Sequence, residues 1–146
     1  MQHIILKLKE ELEKRPESII FGKINAGNPL VEEHGIYYDF LKISDGLRAG
    51  SIDLWSYKDL ARNQYMLSDL TGCLCIGQVD YVPLVLKQDS DDVYIFNGEL
   101  EKNRQWIFIS NFNDFIINYV SGIKYDLIVP DCKEDLWYKF IKTVME

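Results

Sequence analysis

Few residues in this chain have the type and spacing to do chemistry: three cysteines, two histidines and a surplus of carboxylates. Cys73-x-Cys75 would place two thiols on one face of a strand, and Cys132 lies far away in sequence. A zinc site needs four closely placed ligands, and His3 and His34 do not fall at any such spacing from these thiols. A nucleophilic cysteine needs a histidine beside it, and neither histidine comes with a local signature. Cys73 and Cys75 therefore read as small core side chains. Asp89-Ser90-Asp91-Asp92 resembles the start of a calcium loop but lacks the later Gly and the Glu at the twelfth position. The glycines fall singly, with none of the clustering that cradles phosphate, and no serine has a nucleophile-elbow context. No enzymatic activity, metal or cofactor is expected.

The carboxylates are left as a surface. Asp80, Asp89, Asp91, Asp92, Glu99 and Glu101 fall in or beside the turns of one segment, with Tyr81 and Tyr94 nearby. Alternate hairpin turns come to the same end of a sheet, so some of these residues are expected to form a negative patch. Loops are also where charge ordinarily goes. Carboxylates interleaved with tyrosine steer and anchor a basic protein surface, so Asp80, Tyr81, Asp89, Asp91, Asp92, Glu99 and Glu101 are the candidate partner-binding residues.

The segment that must hold them runs from Cys73 to Asn97. It contains three short apolar runs, CLCI, VPLVL and VYIF, broken at Gly77, Gln78 and Asp80 and again at Gln88 to Asp92. This is the pattern of a strand meander at the centre of an antiparallel sheet. Pro83 cannot donate a ladder hydrogen bond, which predicts an exposed edge or bulge in the second strand. A further strand is expected at WIFI, 106–109, and a half-buried one at SIDLW, 51–55.

Helices flank the meander. Ile4, Ile5, Leu8 and Leu12 share a face over 2–15, and Pro16 ends that helix. KINAGNP signals a turn. A second helix is expected from Val31 to Ile43 with Ile36, Tyr37, Phe40 and Leu41 inward, Glu32 and Glu33 in its first turn, and Gly35 weakening its middle. Asp45-Gly46 supplies its left-handed stop. Ser56 with Asp59 marks a short helix over 57–68. Asn111 with Asp114 opens a helix burying Phe112, Phe115, Ile116, Tyr119 and Val120, and Gly122 closes it. Asp131 with Glu134 opens the last helix, with Leu136, Trp137, Phe140, Ile141 and Val144 on one stripe. YDLIVP between them reads as a short strand or extended arm. The expected architecture is a single α+β domain, with helices before and after an antiparallel sheet and packed on one face of it.

Composition limits the partners. With 146 residues the chain has room for a real core without disulfides. A formal net charge of -7 opposes nucleic acid and anionic membranes as main partners and favours a basic one. No stretch approaches the roughly 20 apolar residues of a membrane helix, and the N-terminus has no apolar run of signal-peptide length. Unpaired cysteines fit a reducing cytoplasm.

Three segments together resemble the SUKH superfamily, which includes bacterial immunity proteins and a fungal cell-wall-synthesis regulator. YYDFLKISDG at 37–46, followed by SIDLW, is similar to the family's helix ending in a Phe-Leu pair and a polar-Gly turn. CIGQVDYVPLVLKQDSDDVYIFN at 75–97 resembles its central strand pair around an acidic turn. ISNFNDFIINYVSG at 109–122 is similar to its closing helix with a Phe-x-x-Phe motif. The resemblance implies a non-enzymatic immunity protein that binds a cognate toxin, often a nuclease, and blocks its active site. A regulatory scaffold domain with an endogenous partner is the alternative.

Overall fold

The computed structural model describes residues 1–68 and 70–145. Its sheet has seven strands, β1 (Gly22–Ile24), β2 (Leu47–Ala49), β3 (Ile52–Leu54), β4 (Cys73–Val79), β5 (Val82–Lys87), β6 (Asp92–Phe96) and β7 (Trp106–Asn111). They lie side by side in chain order and every neighbouring pair is antiparallel. The architecture is α+β, with the strands in meander order but interrupted by a helix between β1 and β2 and by helical turns between β3 and β4.

The N-terminal helices are α1 (Gln2–Glu13) and α2 (Ile36–Ile43). After the sheet come α4 (Phe112–Asp114), a π-helical stretch (Phe115–Val120), α5 (Tyr125–Ile128) and α6 (Leu136–Val144). Their apolar faces meet one face of the sheet. Ile5 and Leu8, Phe40 and Leu41, Phe115 and Ile116, and Trp137 bury against Ile52, Ile76, Leu84 and Val93. Period-two alternation then sends Cys75, Val85, Tyr94, Phe96 and Trp106 to the opposite face. There the segment 64–67 covers a small second cluster with Leu67. One-sided helix packing therefore describes the main core but not the whole sheet.

Several local expectations are corrected. β1 and β2, three residues each, were not expected as strands; they are too short to show alternation. The first of them overlaps the start of the stretch read as a turn. α2 starts at Ile36 rather than Val31, so Glu32 and Glu33 precede it. Gly35 is its N-cap at φ 127°, a conformation glycine alone adopts freely, and weakens no helix interior. Residues 57–68 form successive single turns, 3₁₀ at Tyr57–Asp59, α3 at Leu60–Asn63 and 3₁₀ at Gln64–Leu67, and Ser56 makes no side-chain cap.

Tertiary pairing explains that breakage. β3 pairs with β4 only at Gly77–Val79, so the earlier part of β4 is paired with β5 on one side and has no strand on its β3 side. The Gln64 amide fills the place: its Oε1 accepts from the Cys75 N–H at 2.9 Å and its Nε2 donates to the Cys75 carbonyl at 3.0 Å. The segment bends to deliver that clamp. β4 itself runs through Gly77 and Gln78, where the expected break proves to be a bulge between Cys75 and Gly77. Pro83 lies outside the part of β5 that pairs with β6, Leu84–Leu86, so its missing N–H is tolerated there as anticipated.

At the C-terminal end, Asn111 caps α4 as expected, accepting from the Asp114 N–H at 2.8 Å. YDLIVP is not extended; Tyr125–Ile128 is a helical turn. The cap of α6 is Asp135 rather than Asp131, with its Oδ1 accepting from the N–H groups of Trp137 at 2.8 Å and Tyr138 at 3.2 Å. Asp131 instead takes a left-handed conformation before a 3₁₀ turn at Cys132–Glu134. The other oxygen of Asp135 receives the Tyr125 hydroxyl at 2.7 Å, and that hydroxyl accepts from the Ser51 N–H at 3.1 Å. One buried phenol thus ties the β2–β3 turn to the start of α6.

Burial pushes the Tyr37 and Tyr125 hydroxyls far above their ordinary value of 10.0. Both stay protonated in the folded chain while the unfolded chain ionises near its ordinary value. Stability is full below about pH 10 and is expected to fall above it, by about 1.4 kcal/mol per pH unit for each buried tyrosine. Urea unfolding at rising alkaline pH checks this. The Tyr37→Phe variant should lose its share of the slope; an identical slope in the variant contradicts the assignment.

Candidate functional site

Consecutive hairpins turn at alternate ends of the sheet, and this divides the seven candidate residues. The two-residue β4–β5 turn carries Asp80 and Tyr81, and the β6–β7 loop carries Glu99 and Glu101 at the same end. The β2–β3 turn is there too, with the Ser51 carbonyl accepting from the Asp80 N–H at 3.1 Å. The β5–β6 turn, with Asp89 and Asp91, lies at the opposite end, and Asp92 begins β6 beside it. Two acidic sites result, not one.

At the first end, Asp80 and Tyr81 hold φ angles of 48° and 71°. A right-handed sheet twist calls for such a mirror-image turn, which glycine and asparagine fill most easily. Tyr81 takes the position at a conformational cost and leaves its ring 86% exposed. Tyr81→Gly is expected to raise stability by about 0.5–1 kcal/mol. A lower urea midpoint for that variant would contradict the strained-turn reading.

The second end is concave. The β5–β6 turn and the start of α2 enclose a cleft of about 510 Å³, with Leu74 and Leu86 contributing apolar wall and Asp89, Ser90 and Asp91 a polar rim. Backbone bonds hold the turn. Gln88 N–H donates to the Gly72 carbonyl at 2.9 Å, and Ser90 Oγ accepts from the Asp92 N–H at 3.2 Å. Asp89 is left-handed at φ 66°. Among the described residues, the carboxylates of Asp89, Asp91 and Asp92 have no hydrogen bond or ion pair. Lys87, the lysine in the cleft lining, has its ammonium 4.8 Å from the Tyr94 ring centroid and 4.6 Å from that of Trp106, on the second sheet face.

On the helix side, Tyr37 is 1% exposed and its hydroxyl has no hydrogen-bond partner. Its ring is fixed edge-on against Phe112 at 5.3 Å and against Tyr38 at 5.1 Å. Burial, and then the nearby Glu33 carboxylate, raise the Tyr38 hydroxyl. Glu33 also accepts the Tyr57 hydroxyl at 2.7 Å, which holds that phenol up at about 12. The cleft is therefore negative at its rim, while the Tyr37 hydroxyl is closed off from solvent within the packing.

Sequence reasoning missed the aromatic side chains on the second sheet face. Tyr94 packs against Trp106 at 5.8 Å and Phe108 at 5.4 Å, and Phe96 against Trp106 at 4.7 Å. The signal was in the parity of VYIF and WIFI, whose residues are apolar at both alternations and so coat both faces.

All three cysteines are free, and burial pushes the thiols of Cys75 and Cys132 above their ordinary value, which disfavours thiolate. Among the described residues, no three His, Cys, Asp or Glu side chains come together to hold a metal ion, and no helix is long and apolar enough to cross a membrane. No family model matches the chain, and no curated protein matches it.

Proposed function

We propose that this chain is a non-enzymatic immunity protein of the SUKH type, acting in the cytoplasm by binding a basic, nuclease-like toxin domain and covering its active site. The observation that carries the reading is the β5–β6 turn. It carries the carboxylates of Asp89 and Asp91 at the mouth of a cleft with Asp92 next in the chain, and none of the three is paired with a cation among the described residues. Unpaired acid held in a fixed geometry is suited to a partner that supplies the cations, and a nuclease must carry cations to hold phosphate. The net charge of -7 adds long-range attraction. The three segments that resemble the family are α2 with its following turn and the strand β3, the β4–β6 meander, and β7 with α4 and the π-helical stretch. Free cysteines suit a reducing compartment.

The mechanism is occlusion with electrostatic steering, and no side chain of this chain performs chemistry. The test is co-expression with a toxin-like gene found beside its own. Protection of the cell and co-purification as a complex are expected. A well-folded chain that neither protects nor co-purifies contradicts toxin neutralisation and leaves the scaffold alternative.

A further inference from the structure

We infer that β7 is a self-pairing edge, through which two copies of this chain join their sheets antiparallel about a two-fold axis at Ile107. β7 closes one side of the sheet, and its residues alternate between bonding to β6 and facing outward. The Asn97 N–H donates to the Gln105 carbonyl at 2.9 Å, which makes 97 and 105 a directly bonded pair. One step along, Phe96 and Trp106 are opposed without exchanging bonds, and Tyr94 and Phe108 repeat that state. The N–H and C=O groups of Trp106 and Phe108 therefore point away from the sheet, and none of them joins a loop or side-chain hydrogen bond among the described residues. Past Phe108 the edge is closed. The register slips between Val93 and Tyr94, the Ile109 carbonyl accepts from the Tyr119 hydroxyl at 3.5 Å, and the Asn111 carbonyl accepts from Ser110 Oγ at 2.9 Å.

The open stretch is unguarded. Exposed edges are ordinarily blunted by brevity, lysine or proline. β1, the other edge, has three residues and Lys23, whereas β7 has six, WIFISN, with no charge and no proline. Ile107 is 48% exposed and Phe108 57%. The pattern is also self-complementary. Trp106 set opposite Phe108 of a second copy exchanges two backbone hydrogen bonds, the symmetric pair exchanges two more, and Ile107 meets Ile107 on the axis. On the open face the Phe108 ring then neighbours Trp106 of the second copy, extending the cluster in which Tyr94 lies 5.4 Å from Phe108 and 5.8 Å from Trp106. Charge favours a second copy over a foreign strand. In this register the Lys102–Arg104 turn of one copy passes the Ser110–Asn111 end of the other, beside Asp92 and Asp114. None of these four side chains has an ion pair among the described residues. The contact occurs twice about the axis and offsets the mutual repulsion of two chains of net charge -7.

The test is sedimentation of the full chain from about 1 μM to about 500 μM, where a monomer–dimer equilibrium in the micromolar range is expected, weak because the paired edge is short. Ile107→Lys sets two like charges on the axis and should raise the dissociation constant of the dimer about tenfold or more, with the urea midpoint nearly unchanged. Ile107→Cys tests the register without removing the contact. Opposed residues that exchange no bonds bring their Cα atoms to about 4.5 Å, within disulfide reach. Mild oxidation should therefore cross-link this variant as a dimer. Phe108→Cys, offset from its own symmetry mate, and the native chain with its three free cysteines should stay uncross-linked. A chain that remains monomeric at about 500 μM overturns the inference and leaves the edge to a strand of another protein. A dimer indifferent to Ile107→Lys, no cross-link in Ile107→Cys, or growth beyond a dimer overturns it too, since a two-fold axis closes the assembly. None of these results bears on toxin neutralisation, which the co-expression experiment tests separately.

Discussion

Gly50→Ala is expected to lower the unfolding free energy by about 4 kcal/mol, one of the largest effects available from a single methyl group in this chain. Gly50 turns the chain between β2 and β3 at φ +60°. A Cβ there would lie 2.3 Å from the Tyr125 hydroxyl oxygen and 2.9 Å from both Asp135 Oδ1 and Trp137 Cβ. Left-handed backbone costs an alanine about 1–2 kcal/mol. The rest comes from displacing Tyr125, whose hydroxyl links Ser51 to Asp135, and Asp135, which caps α6. Two or three buried hydrogen bonds lost together account for it, at about 1 kcal/mol each. Trp137 cannot retreat easily, because its indole N–H is fixed to the Val120 carbonyl at 2.7 Å and its ring lies against Gly22. Urea unfolding measures the loss. A change under about 1 kcal/mol would mean that the turn and α6 part without strain, contrary to the packing described.

Reversing charge at Asp89, Asp91 and Asp92 together, each to lysine, is expected to weaken toxin binding about a hundredfold and to flatten its salt dependence. Stability should hardly change, because these carboxylates take part in no hydrogen bond or ion pair among the described residues. The turn keeps its shape through backbone atoms and Ser90. The loss should fall partly on the association rate, since steering acts before contact, and partly on the lifetime of the complex. Surface kinetics at low and high salt separate the two. Unchanged affinity with an intact fold removes the β5–β6 turn from the interface.

The fold was legible where patterns are long. CLCI, VPLVL and VYIF announced β4, β5 and β6, and the stripes Ile5-Leu8-Leu12 and Trp137-Phe140-Ile141 announced α1 and α6. It was not legible at β1 and β2, because a three-residue strand has no period to detect. Over 57–68, composition favoured one helix, but the Gln64 clamp on Cys75 outweighed local propensity. At the last helix two aspartates competed for the cap, and the choice of Asp135 depended on Tyr125, ten residues earlier in the chain. The site was legible only as a list. Residue type and turn position named Asp80, Tyr81, Asp89, Asp91, Asp92, Glu99 and Glu101. Hairpin parity then put Asp80, Tyr81, Glu99 and Glu101 at one end and the other three aspartates at the opposite one. Tyr37 read as simple core, since an unsatisfied hydroxyl leaves no mark in a sequence.

The most direct measurement of the proposed function is the binding isotherm of this chain with an inactivated form of any toxin-like domain found encoded beside its gene, taken at low and high salt. The account predicts a one-to-one complex that weakens as salt rises and that the triple lysine variant largely fails to form. No complex, or a salt-insensitive one that the variant joins equally well, would contradict it.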